Sequence, residues 1–177
     1  MARIGPASET YHALPPDFAA ALGQSVAAFG WLEEILKRTL YALDRARLAD
    51  DLSEAELQHW LDHIGQIADD SLGTLIEQLD SAMRRHPGLQ GRDRITDRLS
   101  EAKLVRNLLC HASWRPTDDP ARWHPAFVGT RGQVHDRALS RRDLERIRQD
   151  TIELGLRVLQ VMRATGIAGY WAGDDET

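Results

Sequence analysis

"DFAAALGQSVAAFGWLEEILKRTLYALDR", residues 17–45, is the stretch that decides the fold. Its large apolar side chains fall at Phe18, Leu22, Val26, Phe29, Leu32, Leu36, Leu40 and Leu43. Steps of three and four place them on one stripe of a helix, so the spacing predicts a long amphipathic helix from Asp17 to about Arg45. Gly23 and Gly30 each weaken such a helix by about 1 kcal/mol, and the unbroken periodicity outweighs them. Pro15 and Pro16 mark its start.

The same period recurs outward from this helix. "SEAELQHWLDHIGQIA" begins with Ser53 and has Glu56 three residues on, which is a capping-box start. "SLGTLIEQLDSAMRR" carries a stripe of Leu72, Leu75, Ile76, Leu79 and Met83, and His86-Pro87-Gly88 stops it. A further helix runs from about Arg92, and Pro116 sets its end near Ser113–Trp114. Ser140 caps a last helix with Leu144, Ile147, Leu154, Val158 and Val161 on its apolar side, ended by Gly166. One segment breaks the pattern. Residues 117–139 are rich in turn formers and predict a short hairpin, with "WHPAFV" and "QVHDRAL" as strands and "GTRG" as turn. The expected fold is therefore all-α: an up-and-down bundle of four to five helices with a loop or hairpin excursion at about 117–139. It is expected as a single domain over 1–177, with 1–15 and 167–177 as loosely ordered tails.

Composition narrows the class. The chain is 42% hydrophobic and 28% charged, which suits a packed globular protein rather than a disordered one. No apolar stretch approaches the ~20 residues of a membrane span. The opening "MARIGPASETYHALPP" lacks an apolar signal core. The lone Cys110 excludes an intramolecular disulfide and a multi-thiolate zinc site, and suits a reducing cytoplasm. The net charge of −5 conceals an asymmetry: residues 1–83 hold 5 Lys/Arg against 14 Asp/Glu, and residues 84–177 hold 17 against 13. Nearly all the cations are arginine. Either the basic half favours an anionic partner, or the genome simply encodes Arg for Lys.

The most chemically loaded stretch is "RNLLCHASW", residues 106–114. On a wheel with Ile95 at zero, Leu104, Val105, Leu108, Leu109 and Ala112 span an apolar arc from about 180° to 320°. Arg106, Cys110, Asn107 and His111 fall beside it at about 20°, 60°, 120° and 160°. Asn107 and His111, four apart, stack on one face. A cation near the core direction needs a partner or a wet cleft. A helix C-terminus offers one simple role, because Arg and His there complement the macrodipole.

The same residues resemble the signature of HEPN domains, a superfamily of small all-α domains. That signature is an Arg, then a polar residue, then a His after four to six intervening residues. Arg106, Asn107 and His111 match it, and "FGWLEEILKRTLYAL" is similar to the long first helix of several such families, with Leu32 and Glu33 at a recurring Leu-Glu pair. The resemblance implies a metal-independent endoribonuclease without cofactor, often a toxin or defence effector, acting as a homodimer in which two motifs share one cleft. Its partners would be RNA and an antitoxin protein. In such a reaction His111 would move protons, Arg106 would hold the phosphate, and Asn107 would orient the imidazole or bond the phosphate. One His cannot readily be base and acid at once, and a second copy would supply the other. The alternative is a non-catalytic HEPN-like module that binds RNA or protein. It is supported by Ala112, where many members have Gly, and by an acidic net charge that disfavours tight nonspecific RNA binding. A further alternative is a structural helical dimer in which the motif is coincidental.

Three weaker features complete the reading. Glu33 is either an ion-pair partner for Arg106 or a solvated residue near Lys37 and Arg38. His59 and His63, four apart, could be two metal ligands, but no third or fourth is evident, so no metal is expected. Trp114 and Trp123, with Arg115 and Arg122 nearby, either stack on unpaired bases or pack the loop against the helices.

Overall fold

The computed structural model describes residues 11–45, 53–86, 91–127 and 135–164. Among them the chain is all-α in class with a short β excursion: helices α1 (Pro16–Arg45), α2 (Glu54–Asp69), α3 (Leu72–Arg84), α4 (Arg92–His111) and α5 (Arg141–Ala164), and strands β1 (Ser113–Pro116), β2 (Arg122–Ala126) and β3 (Leu139–Ser140) between α4 and α5. The residues fall into two compact units. The first takes the chain through Phe29 and Leu104–Asp150, and the second takes Gly30–Lys103 and the chain from Thr151. No helix among the described residues is long and apolar enough to cross a membrane.

The first unit is built on the early turns of α1. Phe18, Ala21, Ser25, Ala28 and Phe29 are buried there, whereas Leu22 is half-buried and Val26 is exposed. The buried stripe thus turns through small residues rather than through the larger ones that the spacing singles out. The reason is close approach. The Ser25 hydroxyl lies 3.0 Å from the Leu144 carbonyl oxygen and 2.9 Å from that of Ala21, which satisfies a fully buried polar group. The sheet has strand order β1-β2-β3 and both pairs are antiparallel. The rings of Trp114 and Trp123 lie 5.3 and 6.1 Å from that of Phe18.

The second unit buries Leu32, Leu36, Leu40 and Leu43 of α1, as the spacing predicts, with Leu75 and Leu79 of α3 and Val158 of α5. Fully burying each such side chain is worth about 1.5–3 kcal/mol. Trp31 lies so close to the backbone of Gly155 that a Cβ added there would overlap its ring. Helix ends follow their sequence signals. Ser53 and Glu56 form the capping box of α2, Ser71 caps α3, and Ser140 and Asp143 bond reciprocally at the start of α5. Gly91, at φ 75°, makes the left-handed turn into α4 that favours glycine.

Three boundaries differ from expectation. α4 ends at His111, not at Ser113–Trp114, because Ser113 already pairs with Ala126 in the sheet. The excursion begins at Ser113, so its first strand is "SWRP" and its first turn lies between Pro116 and Arg122. Among the described residues of "QVHDRAL", 135–139, only Leu139 belongs to a strand. The expected "GTRG" turn and Gly166 lie outside the described residues, as do residues 1–10 of the first expected tail and all of the second. The expected apolar arc of α4 is also interrupted. Leu108 and Leu109 are buried, but Leu104 is 61% exposed, because the helix turns the 180° direction outward.

Candidate functional site

The end of α4 and the sheet that follows it hold the sequence-predicted residues Arg106, Asn107, His111, Trp114 and Arg115, and both belong to the first unit. The helix closes with the Ala112 N–H donating to the Leu108 carbonyl at 3.0 Å. Leu108 and Leu109 anchor this last turn in the core. Helical spacing then fixes the rest: Arg106 and Asn107 are half-buried, and Cys110 and His111 are exposed. Arg106 Nη1 donates to Asn107 Oδ1 at 3.4 Å. His111 lies one turn beyond Asn107 on the same face, with its imidazole at the surface. The three sequence-predicted residues therefore form one graded strip, from a sheltered guanidinium to an accessible imidazole.

Beyond His111 the strand alternates. Trp114, half-buried, points its ring edge-on at Phe18, with an interplanar angle of 72°. Trp123 is 8% exposed beside it. Adjacent strand residues point to opposite faces, so Arg115 stands on the other side of the sheet from Trp114. There it pairs in register with His124. Glu33 is half-buried on α1, in the second unit.

His124 is the residue that sequence reasoning did not single out. Its signal is present in "RWHPA", where period two sets Arg122 and His124 opposite the buried Trp123 and Pro125. Only the strand register brings it to Arg115. A second group also escaped notice. Asp143 accepts from the Ser140 hydroxyl at 2.7 Å and the Ser140 backbone N–H at 2.9 Å, and lies near Arg137 and Arg122. The Ser140 hydroxyl, then its backbone N–H, hold the Asp143 carboxyl below the usual carboxylate range, with the two arginines adding to this and burial opposing it.

In the second unit, His63 Nε2 lies 3.1 Å from Asp44 Oδ2, and Arg85 approaches the same carboxylate at 3.7 Å. His59 is exposed. No group of three or more His, Cys, Asp or Glu among the described residues is placed to hold a metal ion. No protein-family model, no curated protein and no solved structure matches the chain.

Proposed function

We propose that the chain is a metal-independent endoribonuclease of HEPN type. The observation that supports this reading is the graded strip on α4, in which Arg106 bonds Asn107 and His111 stands exposed on the face of Asn107. Cleavage of RNA without a metal forms a bond from O2′ to phosphorus and breaks the bond from phosphorus to O5′. The base takes the proton from O2′, and the acid returns one to O5′. An exposed imidazole can perform either transfer. A guanidinium beside that imidazole supplies the positive charge that can hold the phosphate and oppose its growing charge.

The motif supplies one imidazole per chain, so the two proton transfers call for two copies of His111 in a homodimer. The products are a 2′,3′-cyclic phosphate and a 5′-hydroxyl. Such an activity suits a toxin or defence effector held in check by an antitoxin protein. The second reading, a non-catalytic HEPN-like module that binds RNA or a protein, draws on the net charge of −5, which weakens nonspecific attraction to RNA.

The test is cleavage of an RNA panel in the presence of a chelator, with the new ends identified. Wild type is expected to cut and leave cyclic phosphates, and His111→Ala and Arg106→Ala to lose the activity while remaining folded. Equal background rates for wild type and His111→Ala would overturn the enzyme reading and leave the binding module.

A further inference from the structure

The sheet has two unlike faces. Trp114, Trp123 and Pro125 occupy the one turned to Phe18. Period two puts Ser113, Arg115, Arg122, His124 and Ala126 on the other. Arg115 and His124 are register partners, and such partners hold their Cβ atoms about 4.5–5.5 Å apart, so guanidinium and imidazole rise side by side. Both are half-buried. Arg115 Nε is shielded from solvent and has no hydrogen-bond partner among the described residues. A cation dehydrated in part and given no acceptor there gains from an anion placed at its outer N–H groups.

Arg122, on the same face, is already engaged. Its Nη1 donates to the Ala138 carbonyl at 3.0 Å and lies 3.7 Å from Asp143, while its Nε lies 3.6 Å from Asp119. Those carboxylates repel an anion from its end of the face and leave the Arg115–His124 end as the place where one fits. We infer that Arg115 and His124 bind a backbone phosphate of single-stranded RNA. This rests on the ribonuclease reading and gives that site its strand-holding part. Arg115 follows His111 by four residues, so their Cα atoms are at most about 14 Å apart, within the reach of a few nucleotides. The face carries no Trp, Tyr or Phe among the described strand residues, so the contact is to the backbone and independent of base sequence.

Binding of RNA carrying 2′-O-methyl groups, which cannot be cut by 2′-oxygen attack, separates holding from cleavage. Arg115→Ala is expected to weaken binding about tenfold or more, equally for different sequences, and to reduce the slope of log K against log salt by about 0.7, the share of one single-strand phosphate contact. Arg115→Lys keeps the slope, which shows that loss of fold is not the cause. His124→Ala also weakens binding, whereas Arg141→Ala, an exposed arginine 3.2 Å from Glu145, leaves it unchanged. Wild-type affinity and slope in Arg115→Ala, or no binding by wild type, would overturn the inference. If wild type binds through Arg115 but cuts no RNA, the enzyme reading fails and the phosphate site stands. If it cuts RNA with an unchanged slope in Arg115→Ala, the reverse holds.

Discussion

The two ends of α4 handle charge in opposite ways. At its start, in the second unit, the polar groups close on a carboxylate. Asp80 accepts from Arg84 at 2.7 Å and Thr96 at 3.3 Å, and Arg92 approaches it at 3.7 Å. The hydrogen bond from Arg84 holds the Asp80 carboxyl below its usual range against the opposing effect of burial. At its end, in the first unit, Arg106 donates to the Asn107 amide oxygen at 3.4 Å, His111 is exposed, and past it Arg115 Nε has no hydrogen-bond partner among the described residues. The first arrangement satisfies charge locally and stabilises the fold. The second leaves the His111 imidazole exposed and, past the helix, one shielded arginine nitrogen without a partner among the described residues.

The sharpest way to break this contrast is to exchange the readouts. His111→Ala is expected to lower cleavage by about 10²–10⁴-fold, the usual contribution of a proton-transfer group, while moving stability by no more than about 0.5 kcal/mol, as for an exposed residue. Asp80→Ala should do the reverse. It costs about 1 kcal/mol through lost, partly exposed charge-assisted bonds and leaves the cleavage rate unchanged. Paired urea melts and single-turnover cleavage measure both. If His111→Ala destabilised as much as Asp80→Ala, the end of α4 would be a structural cap like its start.

A substitution in the second unit's core sets the scale for a purely structural effect. Gly155→Ala drives a methyl group into the ring of Trp31, and overpacking of this kind costs about 1–3 kcal/mol. The thermal midpoint is expected to fall, and Trp31→Ala in the same chain should relieve the clash in part. A neutral Gly155→Ala would mean that the ring shifts freely, and that packing in this unit is looser than its buried residues suggest.

How much of this was legible in sequence follows from the range of the interactions. The stripe Leu32, Leu36, Leu40 and Leu43 is local periodicity, and it reads directly as the buried side of α1. Ala21, Ser25 and Ala28 were illegible, because small residues carry little hydropathy signal and their burial depends on how near α5 comes. β1 was illegible for a different reason. "SWRP" is four residues ending in proline, and it is a strand only because "RWHPA" pairs with it. The wedge of Arg106, Asn107 and His111 needed only helical spacing, but His124 needed a register, which no local pattern supplies. The helix ends fell between these cases. Ser53, Ser71 and Ser140 all mark starts, yet the end of α4 was set by strand pairing rather than by Pro116.

A smaller effect concerns acid. Because Ser140 holds the Asp143 carboxyl below its ordinary value of about 3.9, the folded protein keeps this group ionised where the unfolded chain has begun to protonate it. Its contribution is complete above the unfolded value and disappears as the pH falls through the lower folded one. Asp143→Ala is expected to cost about 1 kcal/mol at neutral pH, the usual worth of a helix cap, with the difference from wild type shrinking below about pH 4. Urea melts across that range check it. A difference independent of pH would assign the loss to packing rather than to the carboxylate.

The smallest effect on stability is expected at Leu104, and there the contrast between fold and function is most exposed to failure. Leu104 precedes Asn107 by three residues and His111 by seven, so the three share one outward face of α4. Its side chain is 61% exposed, while Leu108 and Leu109 on the same helix are buried. Burial predicts that Leu108→Ala costs about 2–5 kcal/mol and that Leu104→Arg changes stability by no more than about 0.5 kcal/mol. In the proposed homodimer, a large apolar group beside the motif belongs at the contact between copies, where an arginine from each chain would meet its like. Leu104→Arg is then expected to shift the protein to monomer in sedimentation and to lower cleavage in step, with a melting curve that matches wild type at dilutions where both are monomeric. Unchanged association together with full cleavage would mean that the copies do not meet across this face. The second proton carrier would then have to come from elsewhere in the same chain.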